Sequence, residues 1–164
     1  MNITYCIECA KKLTKLSDSE YKCPNDHTFW NEPKACVAVV ILNENGEVLF
    51  SKRAREPFKG QYDLPGGFCE FNEDPMTAAK REITEETGMT ISDLEVIAAY
   101  AGEYLPNESV CDIIVLAHEH AGMPQPDDDS EALEWRPPEF IDDPTFNPEY
   151  PGLSDKIRAT LSVN

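Results

Sequence analysis

The pattern of apolar and polar positions divides this chain into a short polar module and a longer structured part. Residues 1 to about 33 carry little periodic hydrophobicity and end in "NEPKA". A continuous apolar, β-branched run then opens the main part, "CVAVVIL" (36–42), and suits a buried strand. Asn43 to Gly46 is a turn signal, since Asn-Gly favours positive φ, and "EVLFSK" (47–52) is expected to return as the partner strand of a hairpin. Residues 55–75 are rich in Gly and Pro and read as an ordered loop. "PMTAAKREITEET" (75–87) reads as a helix, with Asp74 at its N-cap, Pro75 in the first helical position and Gly88 at its end. Strands are expected over 93–101 and 110–120, followed by an acidic, proline-containing loop at 121–131. "EWRPPEFIDD" holds one short strand and a turn, and 154–163 reads as a final amphipathic helix capped by Ser154. This order predicts a mixed α/β fold, a mixed sheet flanked by helices, and not a regular βαβ alternation.

The helix at 75–87 breaks a local rule. Successive helical residues are about 100° apart, which places Glu86 about 40° and Glu85 about 60° to either side of Glu82. Three like charges therefore share one face of the last turns, where the helix dipole disfavours negative charge. Each i,i+3 or i,i+4 pair of acids costs a few tenths of a kcal/mol in isolation, roughly, and the dipole adds a similar penalty. A solvated acidic face is the plain explanation. Hard divalent cations offer another, because Mg²⁺ prefers oxygen ligands and makes such a cluster favourable. The Gly-rich bend ahead of the helix supports the second, since its glycines let backbone approach a metal or ligand closely.

Composition narrows the partners. The formal net charge is −17, from 31 Asp+Glu against 14 Lys+Arg, which argues against non-specific binding of nucleic acid. A small phosphorylated ligand remains compatible, because a metal or a local basic cluster can meet its charge. Such a cluster exists in "SKRAREPFK" (51–59), where Lys52, Arg53, Arg55 and Lys59 stand against the single acid Glu56. Arg53 is the preferred phosphate contact and Arg55 a second; a solvated hairpin end is the alternative. No apolar run approaches the roughly 18–20 residues that span a bilayer, and the first residues lack a signal-peptide stretch. A soluble, cytoplasmic protein without membrane partners is expected.

Three of the six cysteines bunch near the start, as Cys6-x2-Cys9, thirteen residues, then Cys23-x3-His27. That is the spacing of a structural Zn²⁺ site, and a segment this poor in apolar residues needs such a staple to fold. His27 is the better fourth ligand; Asp26, three residues after Cys23, stays open. Cys36, Cys69 and Cys111 read as inert buried residues.

Gly67, five residues, Glu73, seven residues, then Arg81-Glu82-Ile83-Thr84-Glu85-Glu86-Thr87-Gly88-Met89 together resemble the signature of the Nudix hydrolases at every fixed position. The resemblance covers about 35–164, and the N-terminal cysteines resemble the zinc ribbon that precedes some Nudix domains. It implies a zinc ribbon at 1–33 and a Nudix domain at 34–164, with a mixed sheet between helices. It further implies that Glu82 and Glu86 are the main Mg²⁺ (or Mn²⁺) ligands, with Glu85 direct or through water and the Gly66 carbonyl as a further ligand. Arg81 would orient the glutamates and Glu73 would pin the loop to the helix. Glu85, Glu86 or Glu131 would serve as catalytic base. The implied reaction is hydrolysis of the diphosphate linkage in a nucleoside diphosphate joined to a group X, of ADP-ribose, dinucleotide or sugar-nucleotide type; a homodimer also fits the family. Two rivals stand beside this reading. One is a non-catalytic module that senses a nucleotide; the other is isomerisation of a prenyl diphosphate, for which the sequence offers no assignable Cys and Glu pair.

Overall fold

The computed structural model describes residues 4–106, 108–127 and 129–161. A small antiparallel sheet comes first, from β1 (Thr14–Lys15), β2 (Glu20–Lys22) and β3 (Thr28–Trp30), and these three strands pair only with one another. The main part follows as β4 (Lys34–Ile41), β5 (Val48–Arg53), β6 (Tyr62–Asp63), β7 (Gly66–Phe68), α1 (Pro75–Thr87), β8 (Thr90–Leu105), β9 (Glu108–Ala121), β10 (Ser130–Arg136), a 3₁₀ turn (Pro138–Asp142) and α2 (Leu153–Leu161). The larger sheet has the order β7-β4-β9-β8, with β4 and β9 parallel and the other pairs antiparallel; the smaller has the order β10-β5-β6. The mixed α/β class expected from the sequence is the one observed.

The apolar run of β4 is continuous because both of its faces are covered. Ala38 and Val40 point into a core with Phe50, Ile114, Leu153 and Ile157, under α2. Val37, Val39 and Ile41 point into a second core with Ala78, Ala79 and Ile83 of α1. Helix α1 keeps its expected bounds. Asp74 accepts from the N–H groups of Met76 and Thr77, Pro75 opens the helix, and Gly88 ends it in the left-handed region at φ 68°.

Four expectations change. β4 and β5 do not form a hairpin beyond a single bridge, Leu42–Val48. A strand has two edges, and both edges of β4 are taken, by β7 and β9, so β5 enters the other sheet between β10 and β6. The turn itself survives: Asn43 Oδ1 accepts from the Asn45 and Glu47 N–H groups. The strands expected over 93–101 and 110–120 extend into a long ribbon over 90–105 and 108–121. Residues 130 and 131, read as loop, begin β10. Ser154 is not an N-cap; it lies buried inside α2 and donates its Oγ to Asp142 Oδ2 at 2.7 Å. Residues 162 and 163 of the expected helix lie outside the described residues. Among the described residues no helix is long and apolar enough to cross a membrane.

Candidate active site

Two glycines bring the bend at 66–67 against the acidic end of α1. A Cβ on Gly66, whose φ is 151°, would lie 2.1 Å from the Val37 carbonyl oxygen, and a Cβ on Gly67 would lie 2.5 Å from the Glu82 carboxyl carbon. No larger residue fits either place without displacing strand or carboxylate. The Gly66 N–H donates to Glu86 Oε2 at 2.9 Å, so the bend and the helix end are joined directly.

Arg81 ties the remaining acids together. Its Nε and Nη2 donate to the two oxygens of Glu73 at 2.9 and 2.7 Å, a bidentate fork of the strong, charge-assisted kind. Its Nη1 reaches Glu82 Oε1 at 2.7 Å and Glu85 Oε2 at 3.2 Å, and Nη2 also reaches the Phe68 carbonyl at 3.0 Å. Glu73 in turn accepts from the Glu70 N–H at 2.8 Å, which fixes the loop to the helix. The Arg81 guanidinium holds the Glu73 carboxyl below its ordinary range. Glu82 behaves differently, because desolvation outweighs the same guanidinium and raises its pKa.

Glu86 has no cation in contact among the described residues. Desolvation pushes its pKa up to about 8, against the lowering effect of the Gly66 N–H, and Asp63 and Glu82 push it further up. A desolvated carboxylate beside two others is unfavourable unless protonated or paired with positive charge. Its neighbours Glu82 and Asp63 offer only oxygen, the donor type that a hard divalent cation prefers.

These groups line one side of a cavity of about 360 Å³ between the two sheets, which also contains Arg53, Asp63, Phe58, Phe68, Tyr104 and Asp112. Arg53 donates to Asp63 Oδ2 at 2.8 Å and to the Pro57 carbonyl at 2.9 Å, so its guanidinium is held in a fixed position at the cavity. Burial raises Asp63 to about 6 despite this partner. The other expected residues are not brought in. Arg55 pairs with Asp129 at 2.8 Å and its side chain is 59% exposed. Glu131 pairs with Lys52 at 3.0 Å on the outward side of β10, and Glu85 is 60% exposed on Arg81; neither lines the cavity. Sequence reasoning missed Asp63 and Asp112. Both carried a signal, as an acid directly before "LPGG" and as a lone acid inside the apolar run "VCDIIVLA".

A second cluster lies in the N-terminal sheet. One ligand atom each from Cys6, Cys9, Cys23 and His27 falls within 4.8 Å of all the others. Cys9 Sγ and Cys23 Sγ are 3.7 Å apart, and Cys6 Sγ and His27 Nδ1 3.3 Å. A tetrahedron with zinc–ligand bonds of about 2.0–2.3 Å has edges of roughly 3.3–3.8 Å, so these separations suit one Zn²⁺. The Lys11 backbone N–H is the largest influence on Cys9 and lowers its thiol to about 7. Asp26 pairs with Lys22 at 3.0 Å, and His27, not Asp26, belongs to the cluster.

The model of the NUDIX domain matches residues 32–156. The chain belongs to the Nudix hydrolase family. Members use divalent metal ions such as Mg²⁺. Among similar proteins, the ADP-ribose pyrophosphatase of Methanocaldococcus jannaschii is 32% identical over 127 residues, 77% of this Nudix chain and 72% of that protein. A MutT NUDIX hydrolase structure from Burkholderia pseudomallei is 26% identical, with a TM-score of 0.63 over 77% of this chain and 97% of that one. A NUDIX hydrolase structure from Nitrosomonas europaea, 23% identical, shares the fold at a TM-score of 0.64 over 98% of this chain and 91% of that one.

Proposed function

We propose that this Nudix chain is a Mg²⁺-dependent pyrophosphohydrolase acting on a nucleoside diphosphate linked to a group X. The observation that carries the reading is Glu86: a desolvated carboxylate beside Glu82 and under the Gly66 N–H, facing a cavity of nucleotide size. Glu82, Glu86 and the Gly66 carbonyl would hold the metal. When bound, it supplies Lewis-acid polarisation of the diphosphate oxygens.

The chain's own residues supply the rest. Arg81 locks the Glu82 carboxylate through Nη1 and anchors the loop through Glu73, so the ligand geometry is set before substrate arrives. Arg53, held by Asp63, presents positive charge to phosphate oxygens. Of the three sequence candidates for base, Glu86 alone faces the cavity, and it is the acceptor placed to take a proton from water. The water oxygen bonds to one phosphorus, and the bridging oxygen leaves with the other phosphate.

The test is a hydrolysis screen with Mg²⁺ or Mn²⁺ over ADP-ribose, NADH, sugar nucleotides, dinucleoside polyphosphates and nucleoside triphosphates. ADP-ribose comes first, since a 32% identical relative bears that name. Turnover of none of them refutes the reading. Gly67→Ala adds a sharper check. Its Cβ would meet the Glu82 carboxylate at 2.5 Å, so Glu82 must move by an ångström or so. We expect kcat to fall roughly a hundredfold with the fold intact, read by steady-state kinetics beside circular dichroism.

We further propose that residues 1–33 form a zinc ribbon and 34–164 the catalytic domain, with Cys6, Cys9, Cys23 and His27 holding one structural Zn²⁺. Metal analysis of protein purified without added zinc is expected to find about one zinc per chain.

A further inference from the structure

The cavity floor is one face of the larger sheet, and its register gives positions along the cavity. Gly66 pairs with Ala38, Phe68 with Cys36, and Cys36 with Asp112 across the β4–β9 ladder. Asp112 therefore lies two strands across and two residues along from Gly66, about 12 Å away at ordinary sheet spacings. That is the reach of a sugar or base attached to a diphosphate held at Glu82 and Glu86.

Asp112 is only 8% exposed and still lines the cavity. A buried carboxylate needs donors or a cation. Cys36 Sγ donates to Oδ1 at 2.7 Å, and the buried Tyr150 phenol also faces the carboxylate. Among the described residues no Lys, Arg or His pairs with it. The other oxygen, Oδ2, faces Gly102 of β8. A Cβ there would sit 3.5 Å from Oδ2 and 3.2 Å from Val110 Cγ2. A glycine inside a strand weakens the sheet and commonly marks a place where another group comes close. Here the missing side chain leaves the Oδ2 side of the carboxylate uncovered by β8, beside the cavity.

We infer that Asp112 Oδ2 accepts a hydrogen bond from an O–H or N–H group on the sugar or base of the substrate, and so determines which nucleotide derivative is cleaved. The inference rests on the hydrolase reading above. A site built to accept from a donor rejects the analogue lacking that donor, because its own buried acceptor is then left unpaired.

The experiment compares kcat/KM for ADP-ribose with analogues lacking one donor at a time: the adenine 6-amino group, an adenosine ribose hydroxyl, or a hydroxyl of the distal ribose. In the wild type one of these deletions is expected to cost at least about tenfold, and the analogue concerned tells amino group from hydroxyl. In Asp112→Asn and Gly102→Ala that discrimination should shrink to within about threefold, through a rise in KM for the parent compound with kcat nearly held. Gly102→Ala keeps the carboxylate and its Cys36 bond and only covers Oδ2, so it carries the test if Asp112→Asn does not fold. A wild type indifferent to every deletion, or variants that keep its full discrimination, overturns this inference alone. A wild type that hydrolyses nothing in the nucleotide screen overturns it together with the activity on which it rests.

Discussion

Glu86→Gln is expected to lower kcat roughly a thousandfold while making the metal-free protein more stable. The two effects share one cause. The glutamate is placed where its charge is desolvated and adjoined by Asp63 and Glu82, which suits cation binding and proton transfer and is costly without a cation. Glutamine keeps the shape and removes the charge. The pH dependence carries the same signature. In metal-free protein the folded-state pKa of about 8 lies above the ordinary 4.5, so the folded state holds this proton longer than the unfolded state does. Stability from this group is full below about pH 4.5 and is lost as pH rises through about 8, on the order of a few kcal/mol in all. The difference in unfolding midpoint between wild type and variant, measured in chelator from pH 4.5 to 8.5, should therefore grow with pH. Saturating Mg²⁺ should close the gap for the wild type and leave the variant unmoved. A variant with wild-type turnover, or a midpoint difference flat in pH, contradicts the role assigned to Glu86.

Removing zinc from the N-terminal module is expected to unfold it while the sheets and helices from β4 onward keep their own transition. The module has almost no core beyond its thiols. Cys6, Leu13 and Cys23 are buried, with Tyr21 and Phe29 packed partly against them. Tyr5, Leu16 and Trp30 are more than half exposed, and Ile7 is 85% exposed. Three strands of two or three residues cannot offset the entropy of ordering such a segment. Structural zinc supplies on the order of 10 kcal/mol in small zinc-folded peptides. Cys23→Ser, or a strong chelator on the wild type, should abolish slow hydrogen exchange across β1–β3 and shift Trp30 emission. Retained exchange protection in zinc-free protein would sink the assignment of a structural metal.

The legible parts of this chain were those set by neighbours in sequence. Helix α1 could be bounded to the residue because Asp74, Pro75 and Gly88 act within a turn of themselves. The family resemblance was readable for a similar reason, since one continuous stretch from Gly67 to Met89 carries both the bend and the acids that face it. The grouping of Cys6, Cys9, Cys23 and His27 was legible because two short knuckles bring them together with little help from the rest of the chain. The partner of β5 was not legible, because a turn between two strands does not say which edges are already occupied. Glu131 looked like a loop base near the site. In the fold it is a strand residue on the outward side of β10, held by Lys52.

By itself, the sequence determined the mixed fold class, the helix that carries Glu82, Glu85 and Glu86, and the conflict with helix rules that points to a cation. Tertiary structure alone decided how those three acids divide. Arg81 neutralises Glu82 and Glu85 from one side, while Glu86 is turned under the Gly66 N–H into the cavity. It alone also placed Asp63 beside Arg53 and Asp112 under Gly102. Each of those pairs is close in sequence, but whether its members meet depends on the register of β5 with β6 and of β8 with β9. Strand β9 is seated in the sheet by the distant β4, whose two buried faces fix its register where local preference does not.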